Sequence, residues 1–302
     1  MTDSLLRRGH FTLAPAQRRD LDDALAMCLA DEVANVVPLM HVEAGIRNGS
    51  APSGLWVVRR RGRGSSEIAG VVWAGANLTA VVPSGHDDDA EEIRAQAAAG
   101  LVSRVARPAA IVGRADITLD LWGRVEPWWR PAREVRARQV SMAMSEDPHP
   151  RPLPWGAEPL RLSTMEDYPR LLPAAVHMFI GEVGYDPMRH GRAAYEDRLQ
   201  HLVRTGRSFV QFGQVDGRRD IVFKAEVGIV GGAVAQVQGV WVHPSLRGQG
   251  LAKAGMAALV PMVRASLAPT VSLYVNDFND AAVAAYQAVG FREVGMFATV
   301  MF

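Results

Sequence analysis

Apolar positions along the chain change period several times, and those changes divide it into short elements. Leu21–Leu29 and residues 37–46 carry apolar residues at helical spacing. Leu55–Arg60, then 68–73 and 77–82, are successive β-rich runs. Residues 109–112 predict another strand, 114–122 a helix and 139–144 a strand. Beyond Pro154 the pattern begins again. Residues 160–162 predict a short strand, and Ser163 with Glu166 three positions on predicts a capping box that opens a helix. Residues 191–205 predict a second helix, with Tyr195, Leu199, Leu202 and Val203 on one face. Ser208–Val215 turns at Asp216-Gly217 into a strand over 221–230, and Gly231-Gly232 turns that into 233–242. Residues 270–275 predict a strand and Asp280–Val289 a short helix. The second half therefore runs β-α-α-β-β-β-α-β-α-β, a mixed α/β (α+β) order.

The break between the two patterns is sharp. Pro148, Pro150, Pro152 and Pro154 forbid a helix interior or a central strand, so 146–154 is an extended linker between units at 1–145 and 155–302. The first unit repeats the plan of the second in weakened form. At 302 residues the chain has room for two domains.

Composition narrows the partners. Hydrophobic residues make up 48% and charged residues 22%, with Lys plus Arg at 33 against Asp plus Glu at 32. A net charge of +1 gives no electrostatic case for a nucleic-acid partner. Arg59, Arg60, Arg61 and Arg63, with Gly62 and Gly64, read as a solvated hairpin tip. The single cysteine, Cys28, sits in an apolar run, which excludes an intrachain disulfide and a multi-cysteine metal site. No apolar stretch is long enough to cross a membrane and no secretory leader is visible. The expectation is a cytoplasmic chain with no membrane partner and no metal.

Two segments carry chemistry. An apolar strand ends in Val240-Trp241-Val242-His243-Pro244 and runs into Arg247-Gly248-Gln249-Gly250-Leu251-Ala252, where a helix begins. Glycines there leave backbone N–H groups uncovered, and the helix adds its unpaired first-turn donors, so the turn is an anion cradle. Downstream stands Asn279-x-x-Ala282-x-x-x-Tyr286-x-x-x-Gly290-Phe291. Together the two segments resemble the Gcn5-related N-acetyltransferases (GNAT), over about residues 155–302.

That resemblance implies tandem GNAT-like folds, with a mixed central sheet and helices on both faces. It implies acetyl-CoA as cosubstrate, with Val240, Trp241 and Val242 on the pantetheine arm and Arg247, Gly248, Gln249, Gly250, Leu251 and Ala252 on the pyrophosphate. Tyr286 would be the general acid toward the departing thiolate, and Asn279 would reach the cofactor or fix the helix start. The general base varies in the family. Glu226, the one carboxylate in the central hairpin, is the candidate here. The implied function is N-acetylation by direct attack of a primary amine, the acceptor being a small molecule or a peptide or protein amine. The alternatives are transfer from another acyl-CoA, or a non-catalytic acyl-CoA-binding regulator. A homodimer is open.

In the first half, Ser84-Gly85-His86-Asp87-Asp88-Asp89-Ala90-Glu91-Glu92 stands where the second half has its glycine turn. Such an acidic run repels a pyrophosphate. The first unit is accordingly either a degenerate GNAT-like copy or an unrelated accessory α/β domain. Trp122, Trp128 and Trp129 are expected to pack against the second half, and the apolar strand leading to Phe302 could bring a carboxylate to the cleft.

Overall fold

The structure, a computed structural model, describes residues 10–62, 67–154, 156–189 and 191–302. Arg63, Gly64 and His190 lie outside them. The first half forms β1 (Phe11–Pro15), α1 (Leu21–Leu29), α2 (Val36–Asn48), β2 (Leu55–Arg60), β3 (Ile68–Ala74), β4 (Asn77–Val81), α3 (Asp88–Arg104), β5 (Ala110–Arg114), α4 (Ala115–Val125) and β6 (Glu134–Met144). The second forms β7 (Arg161–Leu162), α5 (Tyr168–Val183), α6 (Arg192–Arg204), β8 (Ser208–Val215), β9 (Arg218–Gly231), β10 (Val234–Val242), α7 (Leu251–Ser266), β11 (Thr270–Asn276), α8 (Asp280–Val289) and β12 (Arg292–Met301). The order of elements is the same in both halves.

All the strands join one 12-stranded sheet in the order β1-β2-β3-β4-β5-β12-β6-β11-β10-β9-β8-β7. The centre of that order is the unexpected part. β6, the last strand of the first half, pairs antiparallel with β11 from Val271↔Met144 to Asn276↔Gln139. β12, the last strand of the second half, pairs antiparallel with β5 from Phe297↔Arg114 to Met301↔Ala110. β6 and β12 also pair with each other, through Met296↔Val140. Each half thus carries six strands of its own, and the strand between its fifth and sixth comes from the other half.

Helices cover both faces. On one face α7 and α8 enclose Phe223, Met256, Leu259, Val260, Val271 and Tyr286, and Val140 and Met142 of β6 belong to that same core. α3 and α4 cover Leu13, Val58, Leu78, Ile111 and Val300 of β12. On the other face α1 and α2 cover Leu55, Val57 and Val71, while α5 and α6 cover Val210, Phe212 and Ile221. Apolar residues of each half thus complete the other's core, so the exchanged strands are stabilised by area removed from water as well as by ladders.

Several readings are corrected. Ser163 does not cap a helix. Its hydroxyl is buried against that of Ser208 at 2.9 Å, and α5 starts after Asp167, which accepts from the Thr164 N–H and pairs with Arg161 at 2.7 Å. The Ser163 N–H donates instead to the Ser208 carbonyl at 2.8 Å, and the Thr164–Asp167 pair one residue on takes the place of the box. The basic cluster after β2 is not simply solvated, because Arg59 reaches Asp20 (1% exposed) at 2.7 Å and Arg60 reaches Asp89 at 2.9 Å. The acidic run, for which no element was expected, opens a helix: Asp87 accepts from the Ala90 N–H at 2.9 Å, and Asp88, Asp89 and Glu91 lie in the first turn of α3, where the dipole favours negative charge. The Phe302 ring is wedged between Trp122 and Trp129, with centroids 5.5 and 5.7 Å away, behind α4. Those two tryptophans therefore pack on the second half, whereas Trp128 is half exposed and the Phe302 terminus is not in a cleft. Cys28 is buried in α1, and burial pushes its thiol up to about 12. No helix among the described residues is long and apolar enough to cross a membrane.

α2 carries one titrating group against the sheet. His41 lies face to face with Trp73, centroids 3.4 Å apart, and burial lowers its imidazole to about 4. Between that value and the unfolded value near 6.5 the unfolded chain binds the extra proton, so stability is full above pH ~6.5 and falls as pH drops toward ~4. In His41→Phe the stacked ring remains without the proton. Its thermal midpoint should fall less than the wild type's between pH 7 and pH 4.5, and parallel declines would refute the assignment.

Candidate active site

β10 and β11 run parallel, but only Val234, Ala235 and Gln236 pair with Thr270, Val271 and Ser272. Past that point β10 stays with β9 as far as Val242, and β11 stays with β6 as far as Asn276. A wedge therefore opens between them, leaving the inner edge of 237–242 unpaired. The cause is local. Gly239 and Val240 together oppose the single residue Ala225, a bulge between the Gln238↔Glu226 and Trp241↔Lys224 pairs. Gly239 has φ +59°, and a Cβ there would meet Met178 at 3.1 Å and the Glu226 carboxyl carbon at 3.3 Å. Only glycine suits that position.

Beyond the strand the chain forms the predicted turn. His243 donates its N–H to Val222 and pairs through Nδ1 with Ser245 at 2.8 Å, so it is a turn residue. Arg247 is extended and exposed, with its Nε 3.5 Å from the Val242 carbonyl. Gly248 and Gly250 take φ +78° and +85°, and nothing lies within 4 Å of where a Cβ would stand on either. The first helical bond of α7 is from the Ala254 N–H to Gly250 at 3.0 Å. Among the described residues the N–H groups of residues 248–253, spanning Gln249, Leu251 and Ala252, meet no acceptor. They converge on open solvent with the positive end of a 16-residue helix behind them.

α8 borders the wedge from the far side. Asn279 caps it, its side chain accepting from the Ala282 N–H at 3.2 Å. Tyr286 is 7% exposed, edge-on to Phe291, and burial drives its phenol well above the usual tyrosine range, with the charge of Glu182 adding to the rise. Glu182, near the end of α5, is exposed to solvent with protein packed around part of it. Its carboxyl is raised by that burial, and its charge also raises Tyr195 and Tyr274.

On the α5–α6 face of β9 lies a buried ion pair. Lys224 (0% exposed) donates to Glu226 Oε1 at 2.6 Å and to the Gly239 carbonyl at 3.1 Å. Glu226 Oε2 faces Arg198 of α6 at 3.7 Å. Trp241 is buried on the same face, donating its indole N–H to His177 at 3.2 Å, while Val240 and Val242 lean toward the α7 core.

Residues 149–291 match the family model described as the acetyltransferase (GNAT) family. The C-terminal half is a GNAT domain. Residues 53–170 match a model described as a domain of unknown function. No curated protein matches the chain. Among solved structures the chain is similar to a GCN5-related N-acetyltransferase from Sphaerobacter thermophilus, at 16% identity and TM-score 0.57, covering 97% of this chain and 96% of that one. It is likewise similar to a GNAT-family acetyltransferase from Colwellia psychrerythraea, at 14% identity and TM-score 0.54, covering 97% and 99%. A tandem GNAT protein from the clavulanic acid biosynthesis pathway gives 16% identity and TM-score 0.55, covering 96% and 98%. At such identities these structures speak to the fold alone, and the fold they share is the tandem one. The GNAT family match supports acyl-CoA-dependent acyl transfer.

The first half has the GNAT wedge without the GNAT cradle. β4 and β5 pair only at Asn77↔Ala110 and Leu78↔Ile111 before parting. The loop after β4 is filled by the protein's own cation. Arg94 (6% exposed) donates to the carbonyls of Pro83 and Gly85 at 2.8 Å each, and sits 3.0 Å from Glu91 and 3.3 Å from Asp120. Carbonyls turned inward and carboxylates at the helix start leave nothing there to hold a phosphate.

Three residues that matter in the GNAT half were not singled out from sequence. Gly239 had a signal, because an isolated glycine in a strand marks a bulge or a close approach. Lys224 had the hint of a lone cation in an apolar run. Tyr274 had none, since its position depends on where β11 parts from β10. Among the described residues no group of three or more His, Cys, Asp or Glu is placed to hold a metal ion.

Proposed function

We propose that the C-terminal half is an acetyl-CoA-dependent N-acetyltransferase acting by direct attack of a primary amine. The observation that carries this reading is the wedge between β10 and β11 opening onto the uncovered N–H groups of 248–253. Acetyl-CoA supplies an activated acetyl thioester. Gly248, Gln249 and Gly250, with the first N–H groups of α7 at Leu251 and Ala252, take its pyrophosphate, and Arg247 adds a mobile positive charge at the rim. Val240, Trp241 and Val242 offer their unpaired backbone groups to the pantetheine arm as an added strand would. N–H groups fixed by the bulge polarise the carbonyl. Asn279 holds the start of α8 and so aims Tyr286.

Tyr286 donates its phenolic proton toward the sulfur. Burial keeps that proton on the oxygen at neutral pH. The proton of the incoming amine leaves toward Glu226 Oε2, or through water to Glu182, whose carboxyl is raised by the protein around it and so is a stronger base than a free one.

Two variants test the reading. In Tyr286→Phe, kcat should fall by about 10²-fold or more while acetyl-CoA affinity moves less than about threefold. In Gly250→Asp, both the left-handed backbone and the added carboxylate oppose the pyrophosphate, and calorimetric affinity should drop by about 100-fold. Unchanged affinity in the second would remove the cradle. A wild-type protein that binds acetyl-CoA but turns over no amine, with or without Tyr286, would leave a sensor rather than an enzyme.

A further inference from the structure

Between the two halves, on the α1–α2 face of the sheet, lies a cavity of about 350 Å³. That is the small end of the ~300–1,000 Å³ range of ligand pockets. The first half supplies His41, Trp73 and Thr79 to its wall, and the second supplies Gln236, Gln238 and Tyr274. α2 forms part of its wall and is tied to the second half where the Gly232 N–H donates to Glu43 at 3.1 Å, while the Ala233 N–H donates at 2.6 Å to Glu32 in the turn before the helix.

Three observations characterise the wall. First, it contains no Asp, Glu, Lys or Arg, and burial favours the neutral form of both its ionisable rings, lowering His41 and raising Tyr274. Second, among the described residues the side chains of Thr79, Gln236, Gln238 and Tyr274 have no hydrogen-bond partner, and the Thr79 hydroxyl (3% exposed) is wholly buried and unsatisfied. Leaving the buried Thr79 hydroxyl unpaired is costly, and the other three side chains keep polar atoms open to the cavity, so a polar occupant gains its hydrogen bonds without displacing any within the protein. Third, the cavity borders the wedge, since Gln238 and Tyr274 in its wall belong to the two parting strands. Gln238 is the residue before the Gly239 bulge and stands beside Glu226 on one face of the β9–β10 ladder, and Tyr274 is on the opposite arm.

We propose that this cavity binds the acceptor, taking a compact uncharged group that bears an amide or hydroxyl, so that the amine joined to it lies in the wedge beside Glu226. This rests on the acetyltransferase reading above and deepens it. The first half, which has filled its own phosphate loop with Arg94, becomes the part that selects the acceptor. Thr79, Gln236 and Gln238 give the neutral group its hydrogen bonds, and Trp73 with its stacked His41 gives it an apolar wall. A carboxylate or ammonium in the same place meets no counter-charge and is excluded by desolvation.

The test uses the full chain with acetyl-CoA and three probes: L-leucinamide, L-leucine and 1,5-diaminopentane. Leucinamide should be acetylated with kcat/KM at least about tenfold above the other two. Thr79→Val, which removes only the hydroxyl, should raise KM for leucinamide about three- to tenfold, and Thr79→Asp by more, with acetyl-CoA affinity unchanged in both. Saturation-transfer NMR of leucinamide on the acetyl-CoA-bound protein gives a readout independent of turnover. Loss of acetyl-CoA binding in the wild type would sink the acetyltransferase reading itself. If acetyl-CoA binds, the inference is overturned by a preference for a charged probe, by Thr79 variants that leave leucinamide kinetics unmoved, or by leucinamide that neither turns over nor shows saturation transfer.

Discussion

Residues 155–302 expressed alone should give no soluble monomer. Every ladder that β12 makes is with β5 or β6, so cutting at the linker leaves the ten residues of β12 without a partner. β11 loses β6 along Val271–Asn276 and exposes that edge, and the α7–α8 core loses Val140, Met142 and Met144. β11 and β12 do not pair with each other, because both run antiparallel to β6, the strand between them. An open edge beside an unpartnered apolar strand is a site for association. Two copies of 155–302 can regain the lost order by exchanging β12 around a two-fold axis, so any soluble fraction should elute as a dimer. A monodisperse monomer with a cooperative thermal transition would show that the exchanged strands are dispensable.

Lys224→Met should destabilise the chain by about 3–5 kcal/mol in urea titration, the usual cost of stranding one member of a buried pair. Lys224 is fully enclosed. Its removal leaves Glu226 Oε1 without its 2.6 Å partner and the Gly239 carbonyl without its donor. Arg198, 3.7 Å from the other oxygen and nearly half exposed, compensates only in part. The double variant Lys224→Met/Glu226→Leu buries no charge and should recover most of the loss. Failure of the single variant to lose stability would mean that solvent reaches the pair. The Gly239 carbonyl gives the prediction a second face, since the Lys224 bond holds the bulge that opens the wedge, and the single variant should also weaken acetyl-CoA binding.

What could be read from sequence was what local chemistry decides. The glycine turn at 247–252 and the Asn279/Tyr286 helix are backbone-conformational and helical-spacing signals, complete within a few residues, and they led to the family. The hairpin at Asp216-Gly217 turned where expected, and the one expected at Gly231-Gly232 turned one residue later, at Gly232-Ala233. The order of elements in the second half was also legible, because its apolar periods are clean.

The partner of a strand was not legible. Val140 and Met142 show an alternation that any neighbouring strand could satisfy, so nothing in it places β6 beside β11 rather than β5. α3 was missed because it is alanine-rich, with its charges at the start, and has little apolar stripe to find. The Ser163 box failed because the competing acceptor, Asp167, was one residue beyond the motif. The two-half cavity lay beyond reach for a similar reason: Thr79 and Gln238 are far apart in the chain and meet only because β6 and β12 draw the two halves into one sheet.

The interleaved strands also set an order of assembly. β12 follows every other strand in synthesis, yet its place is beside β5, at the heart of the first half. Until it emerges, β5 presents a bare edge, and β6 has neither β11 nor β12 to lean on. Neither half can therefore finish as an independent unit until β12 has emerged, and the last contacts to close span most of the chain. Such closure is slow and leaves strand edges exposed in the interim. The chain should depend on holding factors during translation to a degree that two beads on a string of the same length would not.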